Sequence, residues 1–129
     1  MTDKSKIKTI LIIEDEIELV DMYKEKLKLH GFKVSAITDS RKAFSRAKLG
    51  ADLILLDILM PGLNGFEILK KIRSSSSTKD IPVIVLTNIG SESADKDRNL
   101  AMSLGATDYM IKALNTPQDV VVKINQILG

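Results

Sequence analysis

Residues 51–69, ADLILLDILMPGLNGFEIL, constrain the fold more than any other stretch. The apolar run Leu53-Ile54-Leu55-Leu56 is too short for a helix and carries no alternating polar residues, so it suits a strand buried on both faces. Strands of that kind belong to parallel sheets with helices on each side. The run ends on an acid, Asp57, and the turn-forming residues Met60-Pro61-Gly62 and Asn64-Gly65 follow. Asn64 can cap a helix whose apolar residues Phe66, Ile68, Leu69 and Ile72 lie near helical spacing. The order is strand, carboxylate, loop, helix. An acid at the carboxyl end of a buried strand stands where open α/β sheets place their chemistry.

The rest of the chain repeats the alternation. Strands are predicted at 8–13 (KTILII), 32–37, 52–57, 83–86 closed by Thr87, and 108–111. Pro82 opens the fourth, where a missing N–H is tolerated. Helices are predicted at 17–30, stopped by Gly31; at 40–49, capped by Ser40 and stopped by Gly50; and at 64–73. Two more are predicted at 91–104, ended by Gly105, and after Thr116-Pro117, a cap followed by proline at the first helical position. The first half of 91–104 carries little apolar surface, so that helix is expected to be loosely held. Five strands alternating with five helices give an α/β domain with right-handed crossovers. Its compact arrangement is a flavodoxin-like, doubly wound, five-stranded parallel sheet of order 2-1-3-4-5.

Bulk properties exclude several functions. A formal charge of +2 gives no argument for nucleic acid or an anionic membrane. No apolar run approaches the roughly 20 residues of a membrane span, and the start, MTDKSKIK, lacks the apolar core of a signal peptide. Cysteine is absent, which excludes disulfide and thiol chemistry and agrees with a cytoplasmic location. The sole histidine, His30, precedes a helix-ending glycine, a place that suits the helix dipole better than a metal. Residues 1–129 read as one domain, with 1–7 as a loose tail.

In a parallel sheet all carboxyl ends lie on one edge, and here four strands end there in polar groups: Glu14 and Asp15, Asp57, Thr87, and Lys112. Neighbouring strands are about 4.8 Å apart, so these side chains can meet. Clustered carboxylates repel unless a cation sits among them, and an all-oxygen set without His or Cys favours Mg²⁺. A hard cation beside Asp57 makes sense if a phosphoryl group arrives there. The metal and Lys112 would neutralise phosphoryl oxygens, Thr87 would donate a hydrogen bond to one, and the Asp57 carboxylate would be the nucleophile, giving an acyl phosphate. Taken singly each residue has a plainer reading: an acidic first helix turn, a good strand former, a solvated lysine. Their joint arrival on one edge carries the argument.

The sequence resembles the receiver domains of two-component response regulators over essentially its whole length. The resemblance rests on ILIIEDE, LILLDILMPGLNGFE, VIVLT and GATDYMIK, in the family's order and spacing. It looks like a single-domain, chemotaxis-regulator-like member. The resemblance implies Asp57 as phosphoacceptor, Asp15 as direct Mg²⁺ ligand, Glu14 assisting and the Leu59 backbone carbonyl completing the metal site. It implies that Thr87 and Lys112 hold phosphoryl oxygens, with Tyr109 as the switch aromatic that turns inward when Thr87 is drawn to the phosphate. A histidine kinase or histidine phosphotransfer protein would supply the phosphoryl group. Output would run through protein contacts of the 91–128 face, with a phosphorylation-dependent homodimer left open. The predicted fifth helix reaches the end of the sequence, so output is expected by contact or from a larger regulator of which this is a piece. The chain is then a switch that gains and slowly loses a phosphoryl group, not an enzyme acting on other substrates.

Three departures from the pattern carry consequences. Glu14 stands where the family usually has Asp, keeping the charge with a longer reach. Ala113 stands where Pro usually follows a cis bond; a cis bond to Ala costs roughly 2.5–4 kcal/mol. Either a trans bond with a rearranged loop or a strained cis bond is therefore expected. Asn88 replaces a small residue and narrows access, and the apolar Leu59 and Ile89 are expected to hinder the attacking water and prolong the phosphoryl state. Other functions fit less well. A flavin carrier of the same fold needs a phosphate-cradling loop after the first strand, where this chain has three acids. Nucleotidases and phosphatases tend to place their nucleophilic acid after the first strand. A phosphate-independent interaction module remains as the alternative, separable by metal-dependent phosphorylation.

Overall fold

The computed structural model describes residues 6–60, 62–88 and 94–129. Its elements run β1 (Thr9–Ile13), α1 (Ile17–Leu29), β2 (Lys33–Ile37), a 3₁₀ turn (Ser40–Lys42) leading into α2 (Ala43–Ala47), β3 (Leu53–Leu56), α3 (Gly65–Ser74), β4 (Val83–Thr87), α4 (Ala94–Ser103), β5 (Asp108–Ile111) and α5 (Pro117–Leu128). The sheet is parallel in the order β2-β1-β3-β4-β5, as expected.

The strands sort their side chains between two cores. Leu11, Ile13, Ile54, Leu56, Val83 and Val85 face one way and pack with Ala43, Ala47, Ile68, Leu69, Ile72 and Ala101 of α2, α3 and α4. Ile10, Ile12, Leu53, Leu55, Ile84 and Leu86 face the other way, onto Val20, Leu27, Val120, Val121 and Ile124 of α1 and α5. That is why β1, β3 and β4 read as unbroken apolar runs: both faces are buried. Each such side chain contributes about 1.5–3 kcal/mol of transfer free energy.

The local signals act largely as read. Asn64 caps α3, its Oδ1 accepting from the Phe66 amide at 2.8 Å. Thr116 caps α5 in a reciprocal box: its Oγ1 accepts from the Asp119 amide, and Asp119 accepts from the Thr116 amide. At 39–42 the reading needs correction. Asp39, not Ser40, is the cap, accepting from the Arg41 amide at 3.0 Å, while Ser40 starts the 3₁₀ turn and is buried. The helix behind it ends at Ala47, two residues short of Leu49. Residues 59–60 and 63–64, read as loop, form a two-residue antiparallel pairing. α4 begins at Ala94, so the weakly apolar start expected at 91–93 lies outside the described residues, as do Pro61, Ile89 and residues 1–5 of the loose tail. Peptide bonds among the described residues are trans, Lys112–Ala113 included, and Lys112–Leu114 form a 3₁₀ turn. Of the two bond geometries expected at Ala113, the trans bond is the one found.

Two contacts lock the α3 layer. The Arg73 guanidinium, which has the sequence position of a solvated last-turn cation, donates to the carbonyls of Gly105 (2.8 Å), Lys79 (3.0 Å) and Ile81 (2.7 Å). At the other end of α3, a Cβ on Gly65 would lie 2.3 Å from the Ile58 Cα. Only glycine lets α3 start this close to the residue that follows Asp57. In a helix Ala is favoured over Gly by about 1 kcal/mol, but a clash with backbone outweighs that. Gly65→Ala is expected to destabilise the protein by about 3 kcal/mol, read from its urea unfolding midpoint. A stabilised variant would contradict the packing described.

Candidate functional site

The site is made by strand ends. β1 delivers Glu14 and Asp15, β3 delivers Asp57, β4 ends on Thr87 and β5 is followed by Lys112. Register keeps them level: Ile13 is opposite Leu56, Leu56 opposite Val85, and Thr87 opposite Ile111. All the carboxylates expected from the sequence come together, with one oxygen each from Glu14, Asp15 and Asp57 within 4.8 Å of one another.

Glu14 and Asp57 are buried, Asp15 half-buried. Lys112 reaches between the two buried acids: its Nζ donates to Glu14 Oε1 and, at 3.2 Å, to Asp57 Oδ2. Backbone amides hold the remaining oxygens. Glu14 Oε2 accepts from Asp15 (3.1 Å) and Glu16 (3.3 Å), so its extra methylene lets the carboxylate fold back over the start of α1. Asp57 Oδ1 accepts from the Leu59 amide at 2.9 Å, while the Leu59 side chain stays exposed.

One ammonium serves two buried carboxylates, with a third acid at the rim. Burial, opposed by the Lys112 hydrogen bond and reinforced by Asp57, pushes the Glu14 carboxyl up to about 7. Burial alone would lower the Lys112 ammonium, but the hydrogen bond to Glu14 and the charges of Asp57 and Glu14 outweigh it and hold Lys112 above its ordinary value. Three acids against one ammonium leave a formal deficit of two positive charges, which a proton on Glu14 halves and a divalent cation can cancel. A compact all-oxygen donor set fits a hard divalent ion such as Mg²⁺.

Thr87 is wholly buried, and its Oγ1 finds no hydrogen-bond partner among the described residues. A buried hydroxyl left so is costly unless something else is to be bound there. The Tyr109 hydroxyl is likewise buried and unpartnered among the described residues, and burial raises its pKa. Tyr109 is thus already inside, packed with the α2–α3–α4 core, beside a cavity of about 160 Å³ also lined by Asp95, Arg98 and Leu114. Tyr23, which sequence spacing counts merely as an apolar helix position, lies beneath the acids, beside Glu14 and Asp57.

The chain belongs to the response regulator receiver domain family, whose model matches residues 10–125. Among its relatives, the transcriptional regulatory protein CpxR of Klebsiella pneumoniae is 40% identical over 119 residues, 92% of this chain and 48% of that protein. The chain thus spans about half the length of that relative. Among solved structures, the Vibrio cholerae chemotaxis protein CheY4 superposes with a TM-score of 0.85 at 27% identity, covering 95% of this chain and 100% of CheY4. The receiver domain of the Pseudomonas aeruginosa sensor histidine kinase PA1611, with magnesium coordinated in its own cleft, shares the fold at TM-score 0.83 and 24% identity, covering 96% of this chain and 99% of that domain. This is a receiver domain of the two-component type, and no helix among the described residues is long and apolar enough to cross a membrane.

The Glu14 shift has a signed consequence. Below about pH 4.5 the carboxyl is neutral in folded and unfolded chains alike; as pH rises toward 7 the unfolded chain ionises it freely and the folded one does not. Metal-free protein therefore loses stability across that window, by about 3 kcal/mol in total. Glu14→Gln, which mimics the neutral acid, is expected to gain on the parent as pH climbs from 4.5 to 7, in urea unfolding with chelator present. Parallel pH profiles for the two proteins would refute the assignment.

Proposed function

We propose that this receiver domain is a phosphorylation-dependent switch whose phosphoacceptor is Asp57. The observation that carries the reading is the pairing of a buried strand-end acid, held by the Leu59 amide and Lys112, with the buried, unpartnered hydroxyl of Thr87 one strand away. An Asp57 carboxylate oxygen attacks phosphorus, the bond from phosphorus to the donor's imidazole nitrogen breaks, and an aspartyl phosphate forms. Asp15 and Asp57, with Glu14 and the Leu59 carbonyl assisting, would hold Mg²⁺. The bound ion supplies electrostatic neutralisation of the phosphoryl oxygens. Lys112 turns from the carboxylates to a phosphoryl oxygen, and Thr87 donates to another.

The donor is a histidine kinase or histidine phosphotransfer protein of the cytoplasm, and small phosphodonors serve in its place. Output is a population shift: the phosphorylated site prefers one packing of Thr87, Tyr109 and α4, and a downstream protein reads the 91–128 face. The chain acts as one domain, with a phosphorylation-dependent homodimer as one form of output. Leu59, exposed beside the acid, shields the acyl phosphate from water and slows its loss.

The test is intact mass after incubation with a small phosphodonor and Mg²⁺. The parent is expected to gain one phosphoryl group; Asp57→Asn, or the parent with chelator, is expected to gain none. A parent that stays unmodified while folded would instead support a phosphate-independent interaction module, and a gain that persists in Asp57→Asn would move the acceptor elsewhere.

A further inference from the structure

Lys112 carries the ammonium that bridges Glu14 and Asp57, yet it stands on a turn that burial does not fix. None of the residues Lys112–Leu114 is buried: Ala113 is exposed, and Leu114 is 75% exposed. Ala113, joined to Lys112 by a trans bond, has no ring to restrict its φ. A turn with so few buried contacts opens easily, and a long side chain on a loose turn loses its aim. Asn115 closes this turn. Its side-chain amide donates to the Ile111 carbonyl at 3.0 Å, and its backbone N–H donates to the Lys112 carbonyl at 3.5 Å. These two carbonyls flank the Lys112 Cα, so Asn115 grips the peptide units that set the direction of the lysine side chain. Asn115 is itself anchored, because the next residues, Thr116 and Pro117, begin α5 with the reciprocal cap between Thr116 and Asp119. The residue type matters as well: a carboxamide donates to a carbonyl, which a carboxylate cannot do.

We infer that Asn115 is a positioning residue: through the Ile111 carbonyl it fixes the turn from which Lys112 reaches Glu14 and Asp57. The inference rests on the function proposed above and adds a part to it. When Lys112 leaves the carboxylates for a phosphoryl oxygen, the ammonium swings on its side-chain torsions from a base that stays in place. Holding a reacting group's partner in place in advance is how positioning lowers a barrier.

The test labels the lysine amines of metal-free protein with trace acetic anhydride and reads each site by peptide mass. In the parent, Lys112 is expected to react slowly, because its side chain is 12% exposed and paired with two acids. In Asn115→Ala, Lys112 is expected to react about fivefold faster, as the loss of one hydrogen bond implies, with Lys123 unchanged. Lys123 of α5 pairs with Asp108 of β5, so it reports any general loosening between those elements. An unchanged Lys112, or an equal rise at both lysines, would overturn the inference, whatever the protein does with phosphate. The second arm is the rate of phosphoryl gain from a small phosphodonor with Mg²⁺. Asn115→Ala is expected to slow it about fivefold beside a native Lys112, and to change nothing further in Lys112→Ala. An equal loss in both backgrounds would overturn the inference and leave the phosphoacceptor reading intact. A folded parent that gains no phosphoryl group would overturn that reading and the role of Asn115 in transfer together.

Discussion

One lysine facing too many acids is the constraint on which the rest of this structure depends. Lys112 holds Glu14 and Asp57, both almost out of water, while Asp15 adds a third carboxylate at the rim. Burying carboxylates costs several kcal/mol each unless they are paired and hydrogen-bonded. The fold meets part of that cost with Lys112 and with the amides of Asp15, Glu16 and Leu59. The remainder is a standing deficit of positive charge, and a site with such a deficit is poised to take up a cation and respond to it. Thr87 and Tyr109 are buried with unpartnered hydroxyls among the described residues, so each can still take a hydrogen-bond partner.

Holding such a cluster together requires a stiff frame. β1 and β3, buried on both faces, fix the heights of Glu14 and Asp57, and the β3–β4 register sets Thr87 one residue beyond the level of Asp57. Gly65 allows α3 to close on Ile58, so the loop carrying Leu59 stays tight against the acid. Arg73 ties the far end of α3 to the turns before β4 and β5. By contrast α4 exposes Leu100 and Met102, so the element nearest Tyr109 is held by fewer buried groups than α3 or α5. A rigid acid cluster beside a lightly held helix is the physical arrangement a switch needs.

Much of this was legible in the sequence, for identifiable reasons. Uninterrupted apolar runs can only be doubly buried strands in a chain this short, and strand-end polar residues in a parallel sheet must share an edge. Hence the meeting of Glu14, Asp15, Asp57 and Lys112 followed from pattern, whereas the sheet order is not readable from spacing and rested on the compact arrangement favoured for five alternating strands and helices. Neighbouring cap-formers were harder: Asp39 and Ser40 are both good caps, and which one accepts the Arg41 amide depends on burial that spacing does not encode. The short pairing of 59–60 with 63–64 was hidden under turn residues. Arg73 and Tyr23 show the limits of spacing in opposite directions. Arg73 has the spacing of a solvated cation yet folds onto three carbonyls. Tyr23 has the spacing of an apolar core residue yet lines a small cavity with Glu14 and Asp57. Periodicity reports the side of a helix, not what the tip of a long side chain touches.

The central claim is that the cluster of Glu14, Asp15 and Asp57 is completed by a hard cation, and stability reports this most directly. An ion that binds only the folded state at 100 times its dissociation constant adds about 2.7 kcal/mol. Urea unfolding of the parent and of Asp15→Asn at neutral pH, with and without millimolar Mg²⁺, measures that linkage. The account predicts a rise in the parent's midpoint with Mg²⁺ and little or none in Asp15→Asn. No rise in the parent, or an equal rise in both, would contradict it.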